Sequence, residues 1–330
     1  MYRKIMGFLE AWKESEHRKP LILQGARQVG KTYSILEFGR THYENVAYFN
    51  FETNPKLNKT FEENISPDYL IPILSHIAGQ TIVTEKTLIV FDEVQLCERA
   101  LTSLKYFCEN APDYHIIVAG SLLGVAVNRA KFSFPVGKVD MKTLYPMDME
   151  EFMLALGEDD LVEQIKKCFQ TDTPLPSALH DAAMQLYRQY LVVGGMPECV
   201  MQFAETKDYI LVRHTQDTIL ASYLNDMSKY NNLNEIKKTR LAYDNITVQL
   251  SKKNTRFQYK LIKKGGRASE FENAIEWLCL SGIVSQVYKV GQIKKPLENY
   301  RDIDAFKIYV SDLGLLCAKK DLAANDILYM

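Results

Sequence analysis

Residues 21–32 read Leu21-Ile22-Leu23-Gln24-Gly25-Ala26-Arg27-Gln28-Val29-Gly30-Lys31-Thr32, a short apolar run that passes straight into G-x-x-x-x-G-K-T. Glycine reaches backbone angles that cost a residue with a Cβ, so Gly25 and Gly30 let successive N–H groups turn inward around a phosphate. The helix expected after Gly30 adds the positive end of its dipole. In this pattern the lysine reaches the β- and γ-phosphates and the next hydroxyl ligates Mg²⁺, roles that fall to Lys31 and Thr32. The nucleotide-contacting set is therefore Gly25, Ala26, Arg27, Gln28, Val29, Gly30, Lys31, Thr32 and Tyr33. The pattern predicts a nucleoside triphosphate site.

Thr87-Leu88-Ile89-Val90-Phe91-Asp92-Glu93 supplies the second half. A continuous apolar run, rather than an alternating one, is what a parallel strand covered on both faces looks like. Asp92 at the carboxyl end of such a strand can hold Mg²⁺, and Glu93 is placed to polarise a water for attack on the γ-phosphorus. Between and after these motifs lie further strand candidates, Asn45–Phe51, His115–Ala119 and Val139–Leu144, with a helix expected around Ala100–Glu109. Strands alternating with helices imply right-handed crossovers and a parallel sheet. A strand inserted between the loop strand and the Asp92 strand gives the additional-strand P-loop arrangement, in which an acid beside the metal-binding aspartate acts as catalyst. Glu93 fits that role. Ser121, after Gly120, would project toward the γ-phosphate, or it is a plain turn residue.

Bulk properties narrow the class. A chain of 330 residues with 47% hydrophobic and 25% charged residues has room for two or three ordinary globular domains. A net charge of −1 provides no overall field for nucleic acid or membrane, so a partner of either kind needs a local patch. Six scattered cysteines without a C-x-x-C pair read as thiols in a reducing compartment. There is no signal-peptide pattern and no run of 18 apolar residues, so the expectation is a cytoplasmic protein with no membrane partner.

The motifs Gly25–Thr32, Phe91-Asp92-Glu93-Val94-Gln95 and Ala119-Gly120-Ser121 together resemble a prokaryotic AAA-type ATPase family, AAA_14-like, whose members carry a C-terminal region known as DUF4143. The resemblance continues through Leu144-Tyr145-Pro146-Met147-Asp148 and Glu150-Glu151-Phe152. The two family-specific blocks are Gly194-Gly195-Met196-Pro197-Glu198 and Phe306–Leu316. It implies an α/β P-loop ATPase core over residues 1–155, a helical lid over 156–230 and a winged-helix-like domain over 231–330. It also implies ATP and Mg²⁺ as ligands, hydrolysis coupled to conformational change, and a homo-oligomer in which a neighbour lends an arginine, with Arg129 the candidate. Two departures stand out. Members often have arginine where this chain has Lys138, and lysine is only a point charge. Members also continue past the Gly-Leu-Leu block into a nuclease-like region, so no nuclease activity is expected of these residues.

The second half reads as mainly helical after Phe152, with helices near Leu161–Phe169 and Ala182–Leu191. Gly194-Gly195 ends the latter, either as a simple stop and turn or as a hinge. Ser269 and Glu272 read as a capping box before the stripe Phe271, Ala274, Ile275, Leu278. Ile283–Val290 and Phe306–Val310 read as a hairpin with a long charged connection, completing the winged-helix order. Lys252, Lys253, Arg256, Lys260, Lys263, Lys264 and Arg267 form an acid-free stretch able to neutralise DNA phosphates. Against DNA, the candidate recognition helix carries Glu270, Glu272 and Glu276, and winged helices also serve as packing or dimer modules. The alternative to an ATPase is a nucleotide-gated DNA- or protein-binding switch with negligible turnover. A small-molecule kinase is a third reading and requires a phosphorylated acceptor.

Overall fold

The computed structural model describes residues 1–121, 134–229, 233–253 and 256–329. The chain forms two compact units, one over Arg3–Tyr145 and one over Pro146–Met330 that also takes in Met1 and Tyr2.

The first unit is a five-stranded parallel sheet with helices in its crossovers. Its order is α1 (Ile5–Lys13), β1 (Leu21–Gln24), α2 (Lys31–His42), β2 (Asn45–Asn50), α3 (Leu57–Glu63), α4 (Pro67–Ala78), β3 (Thr87–Asp92), α5 (Glu98–Asn110), β4 (His115–Ala119) and β5 (Asp140–Thr143). Across the sheet the strands run β2-β3-β4-β1-β5. Ile117 pairs with Leu21 on one side and Val90 on the other, so β4 is the strand inserted between β1 and β3. The three central strands are buried on both faces nearly throughout, as their unbroken apolar runs require. The edge strands β2 and β5 are partly exposed and carry Asn, Tyr, Asp, Lys and Thr. One face of the sheet is closed by an aromatic cluster in which Phe61 meets Phe91 edge-on at 5.6 Å and Phe51 meets Phe91 at 5.8 Å.

His115, at the start of β4, is a buried imidazole with the Tyr43 hydroxyl 2.6 Å from its Nδ1. Burial first, then the nearby cations Arg18 and Lys13, push it down from 6.5 to about 4. The folded state therefore resists a proton that the unfolded chain accepts near pH 6.5. Its contribution to stability is complete above pH 6.5 and is lost as pH falls toward 4, on the order of 3 kcal/mol in all. Urea unfolding at pH 7 and 5 should show the wild type losing stability relative to His115→Phe, a difference that cancels contributions common to both proteins. Parallel profiles would exclude this imidazole as the cause.

The second unit is helical with one hairpin: α6 (Met149–Ala155), α7 (Asp159–Gln170), α8 (Ser177–Val193), α9 (Pro197–Thr206), α10 (Tyr209–Lys229), α11 (Leu233–Leu250), α12 (Ala268–Leu280), β6 (Val284–Val290), β7 (Arg301–Val310), α13 (Leu313–Lys319) and α14 (Ala324–Leu328). Asp148 and Glu151 form a capping box on α6. The box expected at Ser269 and Glu272 does not form. Arg267 is the cap residue of α12, and Ser269 lies inside its first turn. Gly265, at φ +79°, turns the chain just ahead, so the helix starts before the serine. β7 also begins at Arg301, earlier than Phe306, because the charged residues Arg301 and Asp302 pair with Val290 and Lys289 on an exposed part of the hairpin.

The two family-specific blocks meet in a buried corner. α8 stops at Gly194, φ +75°. The N–H of Gly195 donates to Asp312 Oδ2 at 2.6 Å across 117 residues, and Asp312 Oδ1 caps α13 by accepting the Leu315 N–H at 2.8 Å. The Met147 N–H donates to Gly195 O at 2.6 Å, and Gln216 Nε2 donates to the carbonyls of Val192 and Val193 at 2.9 and 3.0 Å. Burial pushes the Asp312 carboxyl up to about 6 despite these N–H donors. Gly194-Gly195 is thus a helix stop tied on both sides by buried hydrogen bonds.

Candidate nucleotide site

β1 delivers the chain into the loop, and the neighbouring strand dictates how it turns. The Leu144 N–H, just past β5, donates to Gln24 O at 2.8 Å. Leu144 O then lies so close that a Cβ on Gly25 would sit 2.2 Å from it, and Gly25 itself is at φ +148°. Only glycine fits there. Gly30, at φ +89°, is the residue before α2. Gln28 also takes a positive φ, +66°, which no residue-type rule foretells for glutamine.

Lys31 is buried, and its ammonium donates to Gly25 O at 2.9 Å and Ala26 O at 2.7 Å. The cation is therefore held against the loop. Thr32 Oγ1 donates to Asp92 Oδ2 at 3.0 Å, joining the first turn of α2 to the end of β3 over 60 residues of sequence. Asp92 is engaged on both oxygens, since Oδ1 accepts the Glu93 N–H at 3.0 Å. Two hard oxygen donors this close suit a small divalent cation such as Mg²⁺, and a glycine turn ahead of a helix N-terminus suits phosphate. The residues present fit the Mg²⁺–triphosphate pair that the motifs imply.

Glu93 is half-buried in a left-handed conformation, φ +51°, with the Gln95 side-chain amide hydrogen-bonded to its carboxylate. Ser121 is buried two residues past β4, the strand flanked by β1 and β3, and so lies at the carboxyl edge of the sheet that carries the loop and Asp92. Tyr33 is 56% exposed on the first turn of α2. Ala26 and Val29 are buried and Arg27 is partly so.

Three contributors escaped the sequence reading. Tyr48 donates to Asp92 Oδ2 at 2.7 Å, and Asn50 donates to the Tyr48 oxygen at 3.2 Å. Burial, opposed by Asn50 and aided by Asp92, pushes the Tyr48 phenol up to about 12, so it stays a donor. The available signal was polar residues alternating toward the end of an otherwise apolar strand. Arg3 is buried and donates to Val29 O at 2.9 Å and Tyr145 O at 2.8 Å, bracing the loop from behind. Nothing in its local sequence announces that.

Other candidates fall elsewhere. Lys138 pairs with Glu109 at 3.0 Å, near the end of α5. Arg129 lies outside the described residues. The basic stretch is dispersed: Lys252 and Lys253 follow α11, Arg256 donates to Asp304 O at 2.9 Å, and Lys263 pairs with Glu270 at 3.4 Å. Lys260, Lys264 and Arg267 are exposed. No helix among the described residues is long and apolar enough to cross a membrane.

Comparisons with known proteins agree with this geometry. Residues 17–153 match the AAA_14 family, described as an AAA domain. Residues 184–326 match DUF8612, a domain of unknown function, where the resemblance implied DUF4143. A comparison with curated proteins gave no match. Among solved structures, the chain is similar to the Walker-type ATPase PABY2304 of Pyrococcus abyssi, at 13% identity and TM-score 0.59, covering 97% of this chain and 95% of that one. It is also similar to the ORC2 protein of Aeropyrum pernix, solved as ADPNP–ADP complexes, at 12% identity and TM-score 0.50, covering 99% and 94%. At such identities the likeness speaks for the fold. The match to the AAA domain family over residues 17–153 thus coincides with the part of the chain that carries the loop, the inserted strand and the five-stranded parallel sheet.

Proposed function

We propose that this chain binds Mg-ATP and hydrolyses it, using the cycle to drive conformational change. The observation that carries the reading is the 3.0 Å contact between the Thr32 hydroxyl and Asp92 beside a loop whose lysine is already turned into it. Bound ATP supplies a phosphoanhydride as the bond to be broken, and Mg²⁺ supplies charge neutralisation. The chain supplies the rest. Lys31 leaves its two carbonyl partners for phosphate oxygens, and the amides of Gly25–Thr32 orient the same group. Thr32 and Asp92 hold the metal, with Tyr48 keeping Asp92 in place. Glu93 accepts the proton of the attacking water, and Ser121 responds to the terminal phosphate. The functional division is a core over 1–155, a lid over 156–230 and a winged helix over 231–330. The helix–helix–hairpin order of α11, α12, β6 and β7 supports the last of these. Self-association and DNA contact through the basic stretch would be further steps of the same cycle.

A second reading, a nucleotide-gated switch with negligible turnover, is favoured by the Gln95 amide that occupies the Glu93 carboxylate. Calorimetric titration with Mg-ATP, followed by steady-state phosphate release with and without duplex DNA at two salt concentrations, tests both. Saturable heat with measurable release supports the ATPase, and heat without release supports the switch. Absence of heat on well-folded protein removes both.

A further inference from the structure

The glycine loop after β1 rests on one short piece of chain, residues 144–145 just past β5, and is fastened to it at both ends. At the near end Gly25 lies against Leu144 O, too close to admit a Cβ, while the Leu144 N–H holds Gln24 O at 2.8 Å. At the far end the fastening is a side chain. Arg3, 4% exposed, donates from Nη1 to Val29 O at 2.9 Å and from Nη2 to Tyr145 O at 2.8 Å. One planar fork thus spans two carbonyls from separate stretches of chain.

Val29 O belongs to the peptide unit that also carries the Gly30 N–H. In a trans peptide the C=O and N–H point opposite ways, so a carbonyl drawn back toward Arg3 turns that N–H toward the other side, the concave side of the loop. The local sequence leaves this orientation open. Gly30 sits at φ +89°, and glycine takes either sign of φ with little penalty, so the peptide ahead of it is free to flip. The Arg3–Val29 hydrogen bond is buried, and a flip would strip a buried carbonyl of a charged donor. Arg3 therefore selects one of two orientations that glycine tolerates.

Two cations hold loop carbonyls, and a nucleotide affects them differently. Lys31 bonds Gly25 O and Ala26 O, and in the Mg-ATP reading it exchanges them for phosphate oxygens. Arg3 grips the loop from behind and keeps its partners throughout. We propose that Arg3 is a positioning residue for the phosphates. It does not touch the nucleotide; by holding Val29 O it keeps the Gly30 N–H aimed at the phosphate position before the ligand arrives. The inference rests on the Mg-ATP reading and adds to it a residue outside both motifs. The role needs a group that spans two carbonyls, which a guanidinium does and a single ammonium or a shorter amide does not.

Calorimetric titration of Mg-ATP and Mg-ADP into the wild type, Arg3→Lys and Arg3→Gln tests this. Lysine retains the charge and glutamine retains a donor, but neither bridges. Both variants should bind both nucleotides about tenfold more weakly with the number of sites per chain unchanged. A freed peptide spends most of its time turned away, and apparent affinity falls with the competent fraction. A purely electrostatic role predicts wild-type affinity in Arg3→Lys. A purely stabilising role predicts fewer sites per chain, each of ordinary affinity. Either result overturns the proposal. Absence of heat with the wild type removes the nucleotide reading itself, whereas equally tight binding by all three proteins removes only the role of Arg3.

Discussion

Glu93→Gln should leave Mg-ATP binding within about twofold of wild type and lower phosphate release by roughly 10²- to 10⁴-fold, the usual weight of a general base. The substitution keeps size and hydrogen-bonding capacity but removes the acceptor for the water's proton. Asp92, Thr32 and Lys31 are untouched, so the grip on metal and phosphates persists. Lys31→Ala should fail differently. Its ammonium is held against the Gly25 and Ala26 carbonyls, and without it the phosphates lose that charge. Affinity should fall about 100-fold or more, and turnover with it. Calorimetry and phosphate release on both variants separate the two roles. Equal hydrolysis by wild type and Glu93→Gln would take that glutamate out of the chemistry, and unimpaired binding by Lys31→Ala would take the loop out of nucleotide recognition.

The second large effect is on stability. Gly195→Ala places a Cβ 2.0 Å from the carbonyl oxygen of Met147, and the obstacle is main chain that cannot swing aside. Relief requires breaking the Met147–Gly195 hydrogen bond or moving the Gly195 N–H away from the buried Asp312 carboxylate. The expected cost is about 3 kcal/mol or more, lowering the unfolding midpoint by on the order of 10 °C. Gly7→Ala is the matched control, because Gly7 sits on α1 with nothing within 4 Å of the added carbon. There alanine should be neutral or stabilising by about 0.5–1 kcal/mol. A Gly195→Ala protein that melts with the wild type would contradict the corner as described.

How far the sequence carried can be seen element by element. The central strands were legible because double-sided burial demands unbroken apolar runs, and Leu21–Leu23, Leu88–Phe91 and Ile116–Ala119 have them. The beginning of β7 was obscured because half of an exposed hairpin carries charge and looks like a loop. Ser269 misled because a capping-box spacing says nothing about a glycine turn just upstream that starts the helix earlier. The chemistry of Lys31, Thr32, Asp92 and Glu93 was visible as residue type at a known spacing. Tyr48, Asn50 and Arg3 were not, since each acts only through a partner brought near by another strand or by the chain's first residues.

By itself, the order of residues determined a parallel sheet, a phosphate-type loop after its first strand and an acid pair after its third, because local backbone freedom and continuous apolarity are written in adjacent positions. Tertiary structure decided that β4 slips between those strands, that a threonine hydroxyl touches an aspartate 60 positions away, and that Gly195 and Asp312 share a buried corner. Such long-range pairings follow from packing and from the need to satisfy every buried polar group, which no local pattern encodes.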